Sequence, residues 1–213
     1  MRKNFLLPLL LFCTQTHAQP KRSYWNIGIN PLSIVEIIPA IGPCLSYRIS
    51  PRFELWGEAS YLFGGPDRIN NWKNLQGYRF IFQPRYYTNR SKTFFIAPEF
   101  RLKHYTYNAT ANFINSTTAD TLNSYPYKGL QLLVGGALLI GGQAVLSRRH
   151  HLYLEITTGI GAKQRHIKRN NVPAGYFYYH YYRAYIFNPS YDDDYRIDPY
   201  VPLGLRLIWK LNR

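Results

Sequence analysis

The sequence predicts an all-β protein: an eight-stranded antiparallel up-and-down transmembrane β-barrel with short periplasmic turns and longer outer loops. Three observations lead there. Apolar residues recur at every second position in successive segments. The connections between those segments alternate between short and long. Beyond the N-terminus, no run approaches the ~20 apolar residues that a spanning helix needs. A membrane assignment for this chain therefore rests on strands.

The first residues set the expected compartment. Arg2 and Lys3 form a positive start, Phe5 to Cys13 an apolar stretch, and Thr16-His17-Ala18 ends in a small residue suited to cleavage before Gln19. The apolar run is too short to span a bilayer and is closed by Thr14, Gln15 and Thr16. Phe12 is too bulky for the small residue a lipidation site places before its cysteine. Residues 1–18 are thus expected to be a cleaved signal peptide, and residues 19–213 a single outer-membrane domain of about 195 residues. Cys44 is then the one cysteine left, so an internal disulfide cannot form.

Strand signals follow in order. Trp25, Ile27 and Ile29 alternate with Asn26, Gly28 and Asn30; Leu45, Tyr47 and Ile49 alternate with Cys44, Ser46 and Arg48. Over Phe53 to Phe63 the odd positions are apolar or small, and Glu54, Trp56, Glu58 and Ser60 oppose them. Tyr78, Phe80, Phe82, Pro84 and Tyr86 oppose Arg79, Gln83 and Arg85; Phe94, Ile96, Pro98, Phe100 and Leu102 oppose Glu99, Arg101 and Lys103. Three more segments run from Leu130 to Ile140, from Leu152 to Ile160 and from Val201 to Trp209. Ser50-Pro51-Arg52, residues 88–92 and residues 147–150 read as tight turns, and 64–74, 106–128 and 164–199 as long loops. A barrel with both ends in the periplasm requires that alternation. The apolar stretch Leu32 to Ala40 is a short exception that extends the first hairpin or touches the membrane interface. Pro84 and Pro98 flank one turn inside predicted strands, where each removes a ladder hydrogen bond, and a bulge or bend is expected there. The chain also ends without the terminal aromatic residue of many outer-membrane barrels, Trp209 being its nearest substitute.

The polar phase carries Arg48, Glu54, Glu58, Arg79, Arg85, Glu99, Arg101, Glu155 and Arg206. Charges of both signs at this spacing are expected to neutralise one another as a network in a narrow lumen, because an unpaired buried charge costs several kcal/mol. Aromatic residues make up 17% of the chain, with Tyr and Trp near strand ends, as interfacial girdles require. A secreted carrier of the lipocalin type would alternate equally well, with its apolar phase turned inward to a ligand. The direction of the two phases separates these readings.

A formal charge of +15, or +13 once Arg2 and Lys3 leave with the signal, calls for an acidic partner. The basic residues are spread along the chain with no basic helix, which argues against nucleic acid and for lipopolysaccharide phosphate or a polyanionic glycan. Histidines 104, 150, 151, 166 and 180 show no metal-ligand spacing, and Asp192-Asp193-Asp194 lacks the pattern of a calcium loop. No metal, cofactor or catalytic residue is therefore expected. The matches to a glycosylation pattern at Asn108 and Asn115 are read as chance. A lipid A acyltransferase or deacylase needs a His beside a Ser; His104 is the best-placed histidine, and no partner for it is evident. Arg165, Lys168, Arg169, Tyr176, Tyr178, Tyr182, Arg183 and Tyr185 form a basic, tyrosine-rich stretch of the composition of a binding surface for glycan, lipid headgroup or protein. Plain prolongation of two strands explains the Tyr176 to Phe187 run at least as well.

The stretch Trp25 to Leu32, followed by Gly42 to Ile49, Phe53 to Phe63 and Tyr78 to Tyr87 with its Arg85-Tyr86-Tyr87 ending, resembles small outer-membrane barrels common in Bacteroidota, a family of unknown function whose fold is similar to the OmpA and OmpX type. The resemblance covers most of the mature chain through loose strand patterns. It implies insertion by the barrel-assembly machinery and a role in envelope integrity or surface interaction, and it carries over no catalytic residue.

Overall fold

The computed structural model describes residues 24–34, 38–64, 72–88, 93–115, 117–179 and 195–211; the expected signal peptide lies outside them. Among these residues the chain is all-β and antiparallel. Its strands are β1 (Tyr24–Ile29), β2 (Ala40–Ile41), β3 (Pro43–Arg48), β4 (Phe53–Gly64), β5 (Lys73–Tyr87), β6 (Phe94–Asn115), β7 (Thr121–Ser147), β8 (Leu152–Asn170), β9 (Tyr176–Tyr179), β10 (Tyr195–Tyr200) and β11 (Leu203–Lys210), with one 3-10 turn at Pro31–Ile34. Eight of them close a ring: β1 pairs with β3, then follow β4, β5, β6, β7, β8 and β11, and β11 returns to β1. β2 and β10 extend this ring along β4 and β8, and β9 adds to the far end of β6.

The connections after β3, β5 and β7 are four, six and four residues long and share one end of the ring with the start of β1 and the finish of β11. The β6–β7 hairpin lies at the other end. There β6 and β7 continue to a tip of five residues, 116–120, where the Asn115 side chain accepts from the Thr117 and Thr118 backbone N–H groups. The predicted long loop 106–128 is therefore mostly strand, and so is the start of 164–199, where β8 runs on to Asn170. β9 prolongs the sheet within the tyrosine-rich run, and residues 180–187 of that run lie outside the described residues.

Alternation within β4 to β8 and β11 gives the ring two opposed faces. Phe80 and Phe100 are 48% and 59% exposed, while Arg79 and Arg206 are 0% and 2% exposed. Apolar side chains thus look outward and ionic ones inward. Past the row Tyr78, His104, Leu132 and His166, paired across β5 to β8, the phases exchange on β5 and β6. On β6 the outward side chains change from Phe94, Ile96, Phe100 and Leu102 to Thr106, Asn108, Thr110 and Asn112, and the buried ones from the mixed set Phe95, Ala97 and Glu99 to Tyr105, Tyr107, Ala109 and Phe113. This exchange is the physical reason for the missed strand: an apolar-outward pattern ends at residue 104 although the ladder does not.

The prolines are absorbed without a shift of register. β5 pairs with β6 at Phe82 and Phe100 and resumes at Tyr86 and Ile96, so Pro84 faces Pro98. Neither has an N–H, so the ladder skips three pairs and keeps step, instead of bulging as the sequence suggests. Pro202 likewise separates β10 from β11, yet both stay in one register on β8. Two glycines admit aromatic rings from the facing strand. A Cβ on Gly141 would lie 2.2 Å from Phe95, and one on Gly129 2.2 Å from Tyr107.

Candidate functional site

The interior of the ring is the first candidate. All nine charged residues singled out in the polar phase point into it, from β3 (Arg48), β4 (Glu54, Glu58), β5 (Arg79, Arg85), β6 (Glu99, Arg101), β8 (Glu155) and β11 (Arg206). Arg85 binds Glu155 with two parallel N–H···O bonds of 2.8 Å each, the strongest geometry a guanidinium offers a carboxylate. Arg206 donates to the same carboxylate at 2.7 Å and Gln143 at 2.9 Å. Glu54 accepts from Arg48 at 2.6 and 3.0 Å and from the Tyr87 hydroxyl at 3.0 Å, and Arg85 reaches it at 3.4 Å. Glu58 holds Arg79 and Ser60, with the Cys44 thiol 3.7 Å away. Glu99 accepts from Gln83 at 2.7 Å and Arg101 at 2.9 Å.

Arg48, Arg79, Arg85 and Arg206 are thus buried with Glu54, Glu58, Glu99 and Glu155, four against four, and Arg101, 15% exposed, adds a fifth arginine at the edge on Glu99. Balance of that kind offsets the desolvation each ion suffers. Sequence reasoning missed the residues that complete the packing. The guanidinium carbons of Arg206 and Arg85 lie 4.0 and 4.8 Å from the Trp56 ring centre, and Arg48 lies 4.0 Å from that of Tyr87. Their placement was legible, since Trp56 alternates with Glu54 and Glu58. Above the ions the interior holds an aromatic-rich apolar cluster that includes Leu62, Leu75, Tyr105, Tyr107, Phe113 and Tyr127. Trp72 stacks on Tyr107 at 4.4 Å, and burial beside Tyr127 raises the Tyr107 phenol above its ordinary range.

The tyrosine-rich stretch does not form one surface among the described residues. On β8, Arg165 and Arg169 point inward, Arg165 binding Asp198 at 2.8 Å, while Lys168 points outward. Tyr176 packs against the aromatic cluster, and Tyr178 is placed by its backbone alone, in β9 opposite Phe113. Tyr182, Arg183 and Tyr185 lie outside the described residues.

His104 is on the outer face, stacked on Tyr78 at 5.1 Å, and its cross-strand neighbours are Tyr78 and Leu132, neither of them the serine that a lipid A acyltransferase or deacylase pairs with its histidine. No group of three or more His, Cys, Asp or Glu side chains suited to a metal ion occurs among the described residues. Among the described residues no helix is long and apolar enough to cross a membrane. Comparison with protein-family models, curated proteins and solved structures gives no match.

Proposed function

We propose that the protein is a non-enzymatic β-barrel of the outer membrane, of the small Bacteroidota type, exported by its N-terminal signal, inserted by the barrel-assembly machinery and surrounded by outer-membrane lipid and lipopolysaccharide. One observation carries this: an outward apolar belt that stops at a Tyr and His row, where the two faces exchange polarity. From Phe94 to His104 on β6 the belt extends ~33 Å along the strand, or ~25 Å at a tilt near 40°, the height of the apolar band of such barrels. A secreted carrier needs the opposite order of faces, with apolar side chains around the ligand and ions in water. Beyond the row the β6–β7 hairpin continues for about 11 residues on each strand, ~35 Å along the sheet. Such a projection favours surface interaction over a purely structural role in the envelope.

Two measurements test the proposal. Folded protein extracted in mild detergent is expected to run faster on a gel before boiling than after, as a closed barrel resists unfolding; identical mobility would remove the barrel. Reconstituted into a planar bilayer, it is expected to show no steady ion current, because the Arg85–Glu155 and Arg79–Glu58 pairs fill the interior. Stepwise conductance in the untreated protein would mean that the ionic core is not packed as described.

A further inference from the structure

We infer that Lys73, Lys128 and Lys168 form a binding site for the phosphate groups of an anionic lipid of the lipid A class, on the outer face of the sheet just above the apolar belt. The inference rests on the membrane proposal above and adds a place and a ligand chemistry to it. Lys73, Asn108, Lys128 and Asn170 are paired in one row across β5, β6, β7 and β8. Lys168, opposite Leu130, is the diagonal neighbour of Lys128. All three lysines are exposed; a register shift between Lys73 and Gln76 sets Lys73 opposite the outward Asn108 and so on its face, and the two diagonal lysines are ~7–8 Å apart along the sheet. Lys73, Asn108 and Lys128 of this row, with Thr110, Tyr125, Tyr127 and Asn171, line an open recess of about 780 Å³ where ammonium, amide and hydroxyl donors meet and no carboxylate of the described residues lies, and Lys168 stands outside that recess, beside Lys128.

Height selects the ligand. Lys168 is two residues above His166, and Lys128 four above Leu132, on the row that ends the belt; these steps are ~7 and ~13 Å along tilted strands, within reach of a headgroup layer for a flexible lysine stem. On the same strands, below that row, Phe80, Phe100, Leu102 and Val134 wall an outward apolar groove of about 910 Å³. From groove to aromatic row to lysines, β5 to β7 repeat the order of an anionic lipid: acyl chains, interface, phosphate. A free polyanion would meet the lysines without the groove.

The test uses the full chain refolded in mild detergent and native mass spectrometry of bound lipid. Probes are bis-phosphorylated lipid A and the same lipid with both phosphates removed. The wild type is expected to retain the phosphorylated form preferentially. A K73Q/K128Q/K168Q variant is expected to lose that preference by on the order of a hundred-fold, at about five-fold per lysine. Arginine at the three positions is expected to restore it, and R52Q/R148Q/R149Q, which removes equal charge at the short-turn end, to leave it intact. Equal retention of both lipids by the wild type, an unchanged preference in the lysine variant, or equal loss in the two glutamine variants overturns the site. If the wild type is heat-modifiable and any of these results appears, the site alone fails; a wild type that shows neither heat-modifiability nor partition into vesicles fails the membrane proposal and the site with it.

Discussion

Glu155→Ala is expected to destabilise the folded protein by about 3–5 kcal/mol, the cost of stranding buried charge. Glu155 is fully buried and is the shared acceptor of Arg85, Arg206 and Gln143. Without it Arg85 keeps Gln83 at 3.0 Å and a longer contact to Glu54. Arg206 falls back on the face of Trp56 and on Thr157 at 3.5 Å, which do not replace a carboxylate. Denaturant unfolding from lipid vesicles, followed by tryptophan fluorescence, measures the loss. The double variant Glu155→Ala with Arg206→Ala is expected to recover part of it, because one of the two stranded cations leaves with its partner. A loss below about 1 kcal/mol in the single variant would mean that water reaches the interior and screens the ions, as it does for surface pairs. Whether the network adds stability over an apolar filling is a different matter; breaking it is costly even if replacing it whole is not.

The strands and their tight turns were legible because period two is a strong signal in β4, β5, β6 and β11. The ionic cluster was legible for the same reason: Arg48, Glu54, Glu58, Arg79 and Arg85 all occupy one phase. Direction was not. Alternation itself is unchanged if the two faces are swapped, so Phe80 inward with Arg79 outward would write the same letters; the burial of Arg79 and exposure of Phe80 in the ring match the direction that the balanced charges called for. The projection was illegible by a related mechanism. Tyr105, Tyr107 and Phe113 take the side that Glu99 and Arg101 hold lower on β6, so a search for one constant apolar phase stops at His104. Arg165, Lys168 and Arg169 looked like one basic patch in the linear chain, but a strand sends position 168 to the face opposite 165 and 169. Pro84 and Pro98 misled in the other direction. Each alone argues for a bulge, whereas facing each other they spoil the same ladder positions and cost the sheet no change of step.

Phe100→Arg is expected to cost about 2–4 kcal/mol, with most of the protein failing to insert into vesicles, whereas His104→Arg costs about 0–1 kcal/mol, since the penalty for a lipid-facing cation falls from the midplane toward the interface. Phe100 is 59% exposed and sits near the middle of the belt between Phe94 and His104. Thr110→Arg, on the same face of β6 beyond the Tyr and His row, is expected to change nothing beyond the ordinary ±0.5 kcal/mol of a surface site. The three variants share a strand, a face and a charge, so they differ only in depth. In a protein surrounded by water, an exposed phenylalanine replaced by arginine loses little, and the three would unfold together. A graded series from refolding titrations therefore reports the solvent around the ring rather than the packing within it, and a flat one would return the apolar belt to water.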